Sequence, residues 1–358
     1  MELTKCKLGE LITQRREKND GSDLPICGVS KDGLIPPKQK DADTSIYNVF
    51  YRDDFIFNPA RMELNSIAIN DMYDRAICSS LYEVFYVHRT DLLLPHYLEL
   101  IIRQKWFTRY CEFLGQGSAR EYCRFGNISE IEIEFPPIEE QQKIVEYNTA
   151  IENRIALKQK INDNLEAQAF AIYKETISNR EKCAMLSDIA EITMGTSPEG
   201  ESFNADGIGT VFYQGRTDFG FRFPTIRLYT TEPKRFANKG DILMSVRAPV
   251  GDINIAKEHC AIGRGLAALK PKNKCYSYLY YTMMELNFEL KKFNDEGTVF
   301  GSITKDDLFA LNVVALSPNE SISFEKKVSI IDDAILQNET EIQHLLEMSS
   351  ILLSKITD

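Results

Sequence analysis

Two long tracts of this chain contain nothing that breaks a helix. After Pro136-Pro137 neither glycine nor proline recurs until beyond Ile177, and after Pro318 neither recurs at all. Proline is tolerated at a helix start, so each tract predicts a helix beginning just past its proline. In the first, Ile144, Ile151, Leu165 and Ile172 fall seven or fourteen residues apart, with Asn148, Ile155, Asn162 and Ala169 in the companion heptad position. In the second, Val328, Ile331, Ile335, Asn338, Ile342, Leu345, Ser349, Leu352 and Ile356 alternate steps of three and four. That is the a/d seam of a coiled coil. Helices of roughly 35–40 residues would run about 50–60 Å at the α-helical rise, too long for one compact core. An ordinary amphipathic helix against a core is the plainer reading of either tract alone. Together they are expected to pair antiparallel as a stalk that holds two heads apart. Asparagine in the seam costs stability but fixes register.

The chain also repeats itself with an offset near 180 residues. Lys7–Ile12 reads KLGELI and Met185–Ala190 reads MLSDIA. Gln116-Gly117-Ser118 precedes Ile133-Glu134-Phe135-Pro136-Pro137 by about the same distance as Glu296-Gly297-Thr298 precedes Val314-Ala315-Leu316-Ser317-Pro318. Each copy then runs into its long helix. Fixed-period self-similarity of this kind dictates architecture. It divides the chain into a head at 1–136, a helix at 137–180, a head at 181–317 and a helix at 318–358. Short β-rich runs punctuated by Gly, Pro and Asn (66–69, 82–87, 209–213, 241–246 and 252–256) predict strands in the heads. Single helices are predicted near 95–111 and 276–293. The expected fold class is mixed α/β (α+β): two globular heads, two long antiparallel coiled-coil helices, and a pseudo-two-fold internal repeat.

Net charge is −11, which on its face argues against a nucleic-acid partner, but the excess is uneven. Residues 318–358 carry 3 basic and 8 acidic residues, while 214–235 hold five basic against two acidic, a local +3. Screening limits each charge to about 8–10 Å, so DNA binding needs a basic face rather than a basic protein. The eight cysteines are scattered with no C-x-x-C pair, the pattern of reduced thiols rather than a zinc site or disulfide framework. No signal-like start and no membrane-length apolar run is present, which predicts a cytoplasmic protein with no membrane association.

Catalytic signatures are missing. The sequence has no phosphate-binding loop, no G-x-G-x-x-G turn, no H-E-x-x-H and no G-x-S-x-G elbow. Phe57-Asn58-Pro59-Ala60-Arg61 approaches the N-P-P-aromatic loop of adenine methyltransferases, yet Ala60 and Arg61 replace the second proline and the base-stacking ring. His259-Cys260 would point to opposite faces of a strand. The chain is expected not to be an enzyme and to hold no metal or cofactor.

Base reading uses Arg or Lys on guanine, Asn or Gln on adenine, and Ser or Thr on either, presented on loops. The second head offers Tyr213, Gln214 and Arg216 in a glycine-containing, aromatic-flanked loop, followed by Arg222. An ordinary surface loop on a buried aromatic anchor fits the same residues. Ser245 and Arg247 follow a strand; Asn58 and Arg61 hold the matching place in the first head. The glycine-led turns add Gln116, Ser118, Arg120 and Arg124 in the first head and Thr298 and Ser302 in the second. These fourteen residues are the candidate DNA contacts.

The run Ile133-Glu134-Phe135-Pro136-Pro137-Ile138-Glu139-Glu140-Gln141-Gln142-Lys143 resembles the Pro-Pro-x-x-Glu-Gln start of the long helix in type I restriction–modification specificity subunits. Asp241-Ile242-Leu243-Met244-Ser245-Val246-Arg247-Ala248-Pro249-Val250-Gly251 resembles a strand of their target-recognition domains, and the stretch from Gly297-Thr298 to Leu308 resembles the closing segment. With the repeat, the resemblance covers nearly the whole chain. It implies two target-recognition domains, each reading half of a split double-stranded DNA target, with the helices setting the spacing. It further implies docking of two methyltransferase subunits that make N6-methyladenine, and of restriction/translocase subunits. Those partners would use S-adenosylmethionine, ATP and Mg. The second copy departs at Ser317-Pro318-Asn319-Glu320, so its methyltransferase contact is expected to differ. A specificity component of a type IIB or IIG-like system, and a coiled-coil scaffold or acidic DNA mimic, are the competing readings.

Overall fold

The structure, a computed structural model, describes residues 3–31, 33–37, 43–115, 122–294, 301–354 and 356. The chain divides into two compact units: Met1–Lys158 with Thr340–Asp358, and Gln159–Glu339. Each long helix contributes to both.

In the first unit an antiparallel sheet runs in the order Ile12–Arg15, Glu83–Val87, Phe55–Phe57, Ile67–Ile69. A second sheet runs Gly33–Ile35, Ile26–Ser30, Arg75–Cys78, Asn48–Tyr51, and its middle pair is parallel. The strand Phe55–Phe57 is buried on both faces because its side chains alternate between two cores. Phe55 and Phe57 join a cluster with Leu8, Phe85, Tyr97 and Phe107, while Ile56 joins Cys27, Phe50 and Val84. A strand covered on both sides reads as a continuous apolar run, which is the pattern FIF shows. Thr4–Lys7 pairs with Glu132–Phe135 and closes the head. There Glu132 and Glu134 face water while Ile133 and Phe135 face inward, the period-2 signature of a half-buried strand.

The second unit repeats this plan. Its antiparallel sheet runs Ala190–Met194, Leu266–Pro271, Ile242–Ser245, Ile253–Ile255. Ile242 and Met244 feed one core and Leu243 another. The companion sheet has Leu228–Thr230, Thr210–Tyr213, Cys260–Ile262 and Phe236–Ala237 in order, again with one parallel pair, plus Phe203–Asn204 at one edge. Ala184–Met185 pairs with Asn312–Val313 as the closing ribbon. The internal repeat is therefore one of strand order, although few residues are shared.

The expected strands near 66–69, 82–87, 209–213, 241–246 and 252–256 appear as Ile67–Ile69, Glu83–Val87, Thr210–Tyr213, Ile242–Ser245 and Ile253–Ile255. The single helix expected near 95–111 is instead two, Pro95–Ile102 and Lys105–Gly115. Gln104 makes the break: its side-chain amide donates to the Leu100 carbonyl at 3.2 Å, while its own carbonyl accepts from Phe107 N and starts the next helix. The other expected helix is Tyr276–Lys291.

The long helices are Ile138–Ile177 and Pro318–Ser354. Every seam position predicted from the heptads is buried or half-buried. In the first unit Ser349 Oγ donates to Asn148 Oδ1 at 3.3 Å and Arg154 pairs with Glu341. In the second unit Asn162 meets Asn338, and Arg180 meets Glu320. Within each unit residue numbers rise along one helix as they fall along the other, so the pairing is antiparallel.

Candidate nucleic-acid interface

In the second unit five loops lie side by side at the ends of the strands, bonded backbone to backbone. Gly195 N donates to Leu266 O and Thr196 N to Ile262 O; Gly263 N donates to Tyr213 O; Val246 N donates to Gly265 O; Ile303 N donates to Val246 O and Ala248 N to Gly301 O. Arg247 and Ser302 face each other across an isolated bridge. Three glycines permit this crowding. A Cβ on Gly195 would sit 2.1 Å from the Gly263 carbonyl oxygen, and one on Gly265 2.6 Å from that of Gln214, well inside van der Waals contact. The loops thus present Thr196, Gln214, Arg247, Arg264 and Ser302 together as exposed polar side chains. Hydrogen-bonding groups and cations on a rigid, glycine-packed platform are what a polyanion with readable base edges requires.

Asp218 shapes the Gln214 loop from beneath. Its side chain is 2 % exposed; Oδ2 accepts from Gln214 N at 2.8 Å, and Oδ1 accepts from both Nε and Nη2 of Arg227. Arg216 is exposed but pairs through Nε with Asp252, which offsets its charge locally. Among the described residues neither Arg247 nor Arg264 has an acidic partner.

Three expected DNA contacts are corrected here, because their side chains are interior. Tyr213 is 1 % exposed and belongs to a hydrophobic cluster with Leu243 and Ile262; burial pushes its hydroxyl above the ordinary value. Ser245 is 1 % exposed; its Oγ donates to Pro249 O and accepts from Asp252 N, closing the turn that carries Arg247. Arg222 is wholly buried among Glu166, Tyr280, Tyr281 and Asp332. Glycine-flanked Arg264 and the Gly195-Thr196-Ser197 turn were not among the expected contacts. The signal for Arg264 was in the sequence, as a cation between two glycines.

In the first unit Asn58 and Arg61 follow the strand Phe55–Phe57, the place Ser245 and Arg247 hold in the second. Asn58 caps a short 3-10 helix, accepting from Ala60 N at 3.1 Å, and is half-buried; Arg61 is exposed. Both line an open cleft of about 1100 Å³ with Ser30, Lys31, Tyr82 and Thr108. Cys123 N donates to Pro59 O, so Cys123 lies against this turn as Gly301–Ile303 lies against Val246–Ala248. Arg124 is exposed, pairs with Glu83 and covers the Tyr122 ring. Gln116, Ser118, Arg120 and Thr298 lie outside the described residues. No group of three or more His, Cys, Asp or Glu side chains among the described residues could hold a metal ion. No described helix is long and apolar enough to cross a membrane.

The family profile described as the type I restriction modification DNA specificity domain matches this chain twice, over residues 6–167 and 182–343. The type I restriction enzyme MjaX specificity subunit of Methanocaldococcus jannaschii is 30% identical over 286 residues, covering 70% of this chain and 66% of that protein. The HindI specificity subunit of Haemophilus influenzae is 28% identical over 104 residues, 27% of this chain and 23% of that one. The chain therefore spans just under two thirds of the first relative and under a quarter of the second. A solved type I restriction–modification S subunit from M. genitalium shares the fold with a TM-score of 0.62 at 16% identity, covering 100% of this chain and 96% of that one.

Proposed function

This chain belongs to the type I restriction–modification DNA specificity family, and from that premise we propose that it is a non-catalytic subunit that selects a two-part DNA target. Each unit reads one half-site, and the paired helices set the spacing. Two methyltransferase subunits and the restriction/translocase subunits dock on it in the cytoplasm and carry the chemistry, N6-methylation of adenine included. S-adenosylmethionine, ATP and Mg serve those partners rather than this chain.

The observation that carries the reading is the five-loop platform of the second unit. Gln214 has the donor and acceptor geometry to bond an adenine edge. Arg264, exposed on the turn packed against the Gln214 loop, and Arg247, exposed on the next turn, which bonds to Gly265, suit phosphate oxygens, which fix the pose without reading sequence. Both basic residues escape the acidic average of the chain, which is why a net charge of −11 does not oppose binding.

Co-expression with methyltransferase partners, followed by sequencing that detects N6-methyladenine, tests the proposal. The expected result is methylation within one split motif, lost when Arg247 and Arg264 are both replaced by alanine. A complex that assembles without motif-specific methylation would favour a scaffold, and failure to assemble would remove the reading altogether.

A further inference from the structure

Among the described residues Arg222 is the largest fully buried side chain, and it sits at the tip of a loop that starts at the reading platform. From Gln214 the chain passes through Asp218, whose carboxylate holds Gln214 N and Gly215 N. It then makes a tight excursion over 219–224. Buried Asn254 pins that excursion at both the N–H and the carbonyl of Gly220, at 3.0 and 3.1 Å. A Cβ on Gly220 would meet Phe223 O at 2.6 Å, so the turn closes only on glycine. Ile255 N donates to Arg222 O at 2.8 Å, and the side chain beyond it drives into the interior.

There the guanidinium touches one acid from each long helix. Nη1 bonds Asp332 Oδ1, and Nη2 bonds Glu166 Oε1 at 2.9 Å and the Tyr281 hydroxyl at 2.8 Å. Tyr281 in turn donates to Asp332 at 2.8 Å, and Tyr280 donates to Glu166 at 3.1 Å. The plane lies 4.4 Å from the Tyr280 ring centroid. All of these groups belong to the second unit. An interior ion network is a poor source of net stability, because desolvating the charges consumes most of the attraction, and an apolar cluster of the same volume does as well or better. What such a network supplies is geometry. The fork satisfies both carboxylates only when Glu166 and Asp332 stand level, and only when the loop reaches full depth.

We propose that Arg222 is a positioning residue for base recognition: by bridging Glu166 and Asp332 it fixes the loop that presents Gln214, and so sets base discrimination in the half-site read by the second unit. The inference rests on the DNA-reading function argued above. Arg222 touches no DNA; it acts through Asp218 and Gln214.

The test uses the complex with its methyltransferase partners and measures methylation rates on duplexes in which each target base is varied singly. Gln214→Ala marks the half-site that belongs to the second unit. Arg222→Lys keeps a charge but loses the fork. A fully neutral variant, Arg222→Met with Glu166→Gln and Asp332→Asn, removes the network without leaving an unpaired acid and keeps the test open if the single variant fails to fold. In both, discrimination at the Gln214-dependent positions is expected to fall about tenfold, the scale of one well-read base pair, while the other half-site keeps its preference. Unchanged discrimination in a folded variant, or equal loss in both half-sites, would reduce Arg222 to a structural role and overturn the proposal. A wild-type complex with no sequence preference would overturn the underlying reading and this proposal with it, whereas an intact wild-type preference isolates failure to Arg222 alone.

Discussion

Asn338 donates its side-chain amide to Asn162 Oδ1 at 2.8 Å, in the buried seam where the two long helices meet within the second unit. Asn162 passes the interaction on, donating from Nδ2 to Glu339 Oε1 at 2.8 Å. A polar pair in a coiled-coil seam specifies alignment, because any shifted register leaves amides facing hydrocarbon. Asn162→Ala removes an acceptor from Asn338 and a donor from Glu339 at once. The expected cost is about 2–4 kcal/mol, since buried polar groups that lose a partner cost more than the bond was worth. Urea denaturation of the purified chain measures it; a loss below half a kilocalorie would mean the seam relaxes around the gap.

Glu339 makes the same region pH-sensitive. Burial raises its carboxyl above the ordinary 4.5, more than Asn162, Lys257 and Arg222 draw it down. The folded chain therefore binds the proton more tightly than the unfolded one. Stability is expected to fall as pH rises from 4.5 through the raised folded value, and to level off above it. Glu339→Gln keeps an acceptor for Asn162 and removes the titration. The variant should lose this decline, match wild type near pH 4.5 and exceed it at pH 7.5. Parallel urea midpoints for the two proteins across that range would show that Glu339 is not the group responsible.

The long helices were legible because heptad spacing depends only on which residues are apolar. Asn148, Asn162, Asn338 and Ser349 could be assigned to the seam before any contact was known. The strands were legible for the same reason. The break at Gln104 was not, since it arises from a side chain competing for a backbone carbonyl, which composition does not encode. Arg222 was unreadable in a more instructive way. In sequence it belongs to a basic loop beside Arg216 and Arg227, and only the depth of the 219–224 excursion reveals that it points inward. Arg264 was readable from its flanking glycines, but their purpose, close packing beneath Gln214, is a tertiary fact.

Gln141 shows why the two copies differ at their helix starts. It is fully buried and makes three bonds: Oε1 accepts from Leu94 N at 2.9 Å, and Nε2 donates to Leu92 O and Pro136 O at 2.7 and 2.8 Å. The helices begin 180 residues apart, at Ile138 and Pro318, which makes Ser321 the counterpart of Gln141 in the second copy. Ser321 is buried with no partner for its hydroxyl, and Glu325 one turn later holds Ser277 N and Tyr278 N instead. Gln141→Leu should therefore cost about 2–4 kcal/mol by stranding buried backbone groups. Ser321→Ala should cost under about 0.5 kcal/mol or stabilise, since no bond is lost. Equal melting losses for the two variants would contradict the asymmetry.

Arg15 and Asp54 hold the first unit's central sheet together. Nε and Nη2 of Arg15 bond the two oxygens of Asp54 at 2.6 and 3.1 Å, and the guanidinium is layered between the rings of Tyr51 and Tyr86 at 4.7 and 4.6 Å. Asp54 is 2 % exposed, and burial raises its carboxyl despite the arginine. Arg15→Met leaves that acid unpaired and should cost about 3–5 kcal/mol, whereas adding Asp54→Asn should recover much of the loss. A double-mutant cycle by denaturant melting decides it, and additive losses would show that the residues act independently.

Gln214 and Arg264 stand on adjoining loops of one platform, yet the proposed roles require them to fail differently. A phosphate contact contributes through counterion release and is blind to sequence. Arg264→Ala should weaken matched and mismatched duplexes alike and lower the salt dependence of log affinity by about one. A base contact carries little of that salt dependence but all of the local preference. Gln214→Ala should leave the slope unchanged and relax the choice of base at one position. Fluorescence anisotropy of the assembled methyltransferase complex, run at four salt concentrations on a matched and a singly mismatched duplex, yields both quantities. If Arg264→Ala instead relaxed one base position with the slope intact, its guanidinium would be the reader, and the phosphate-binding role would pass to Arg247 on the neighbouring turn.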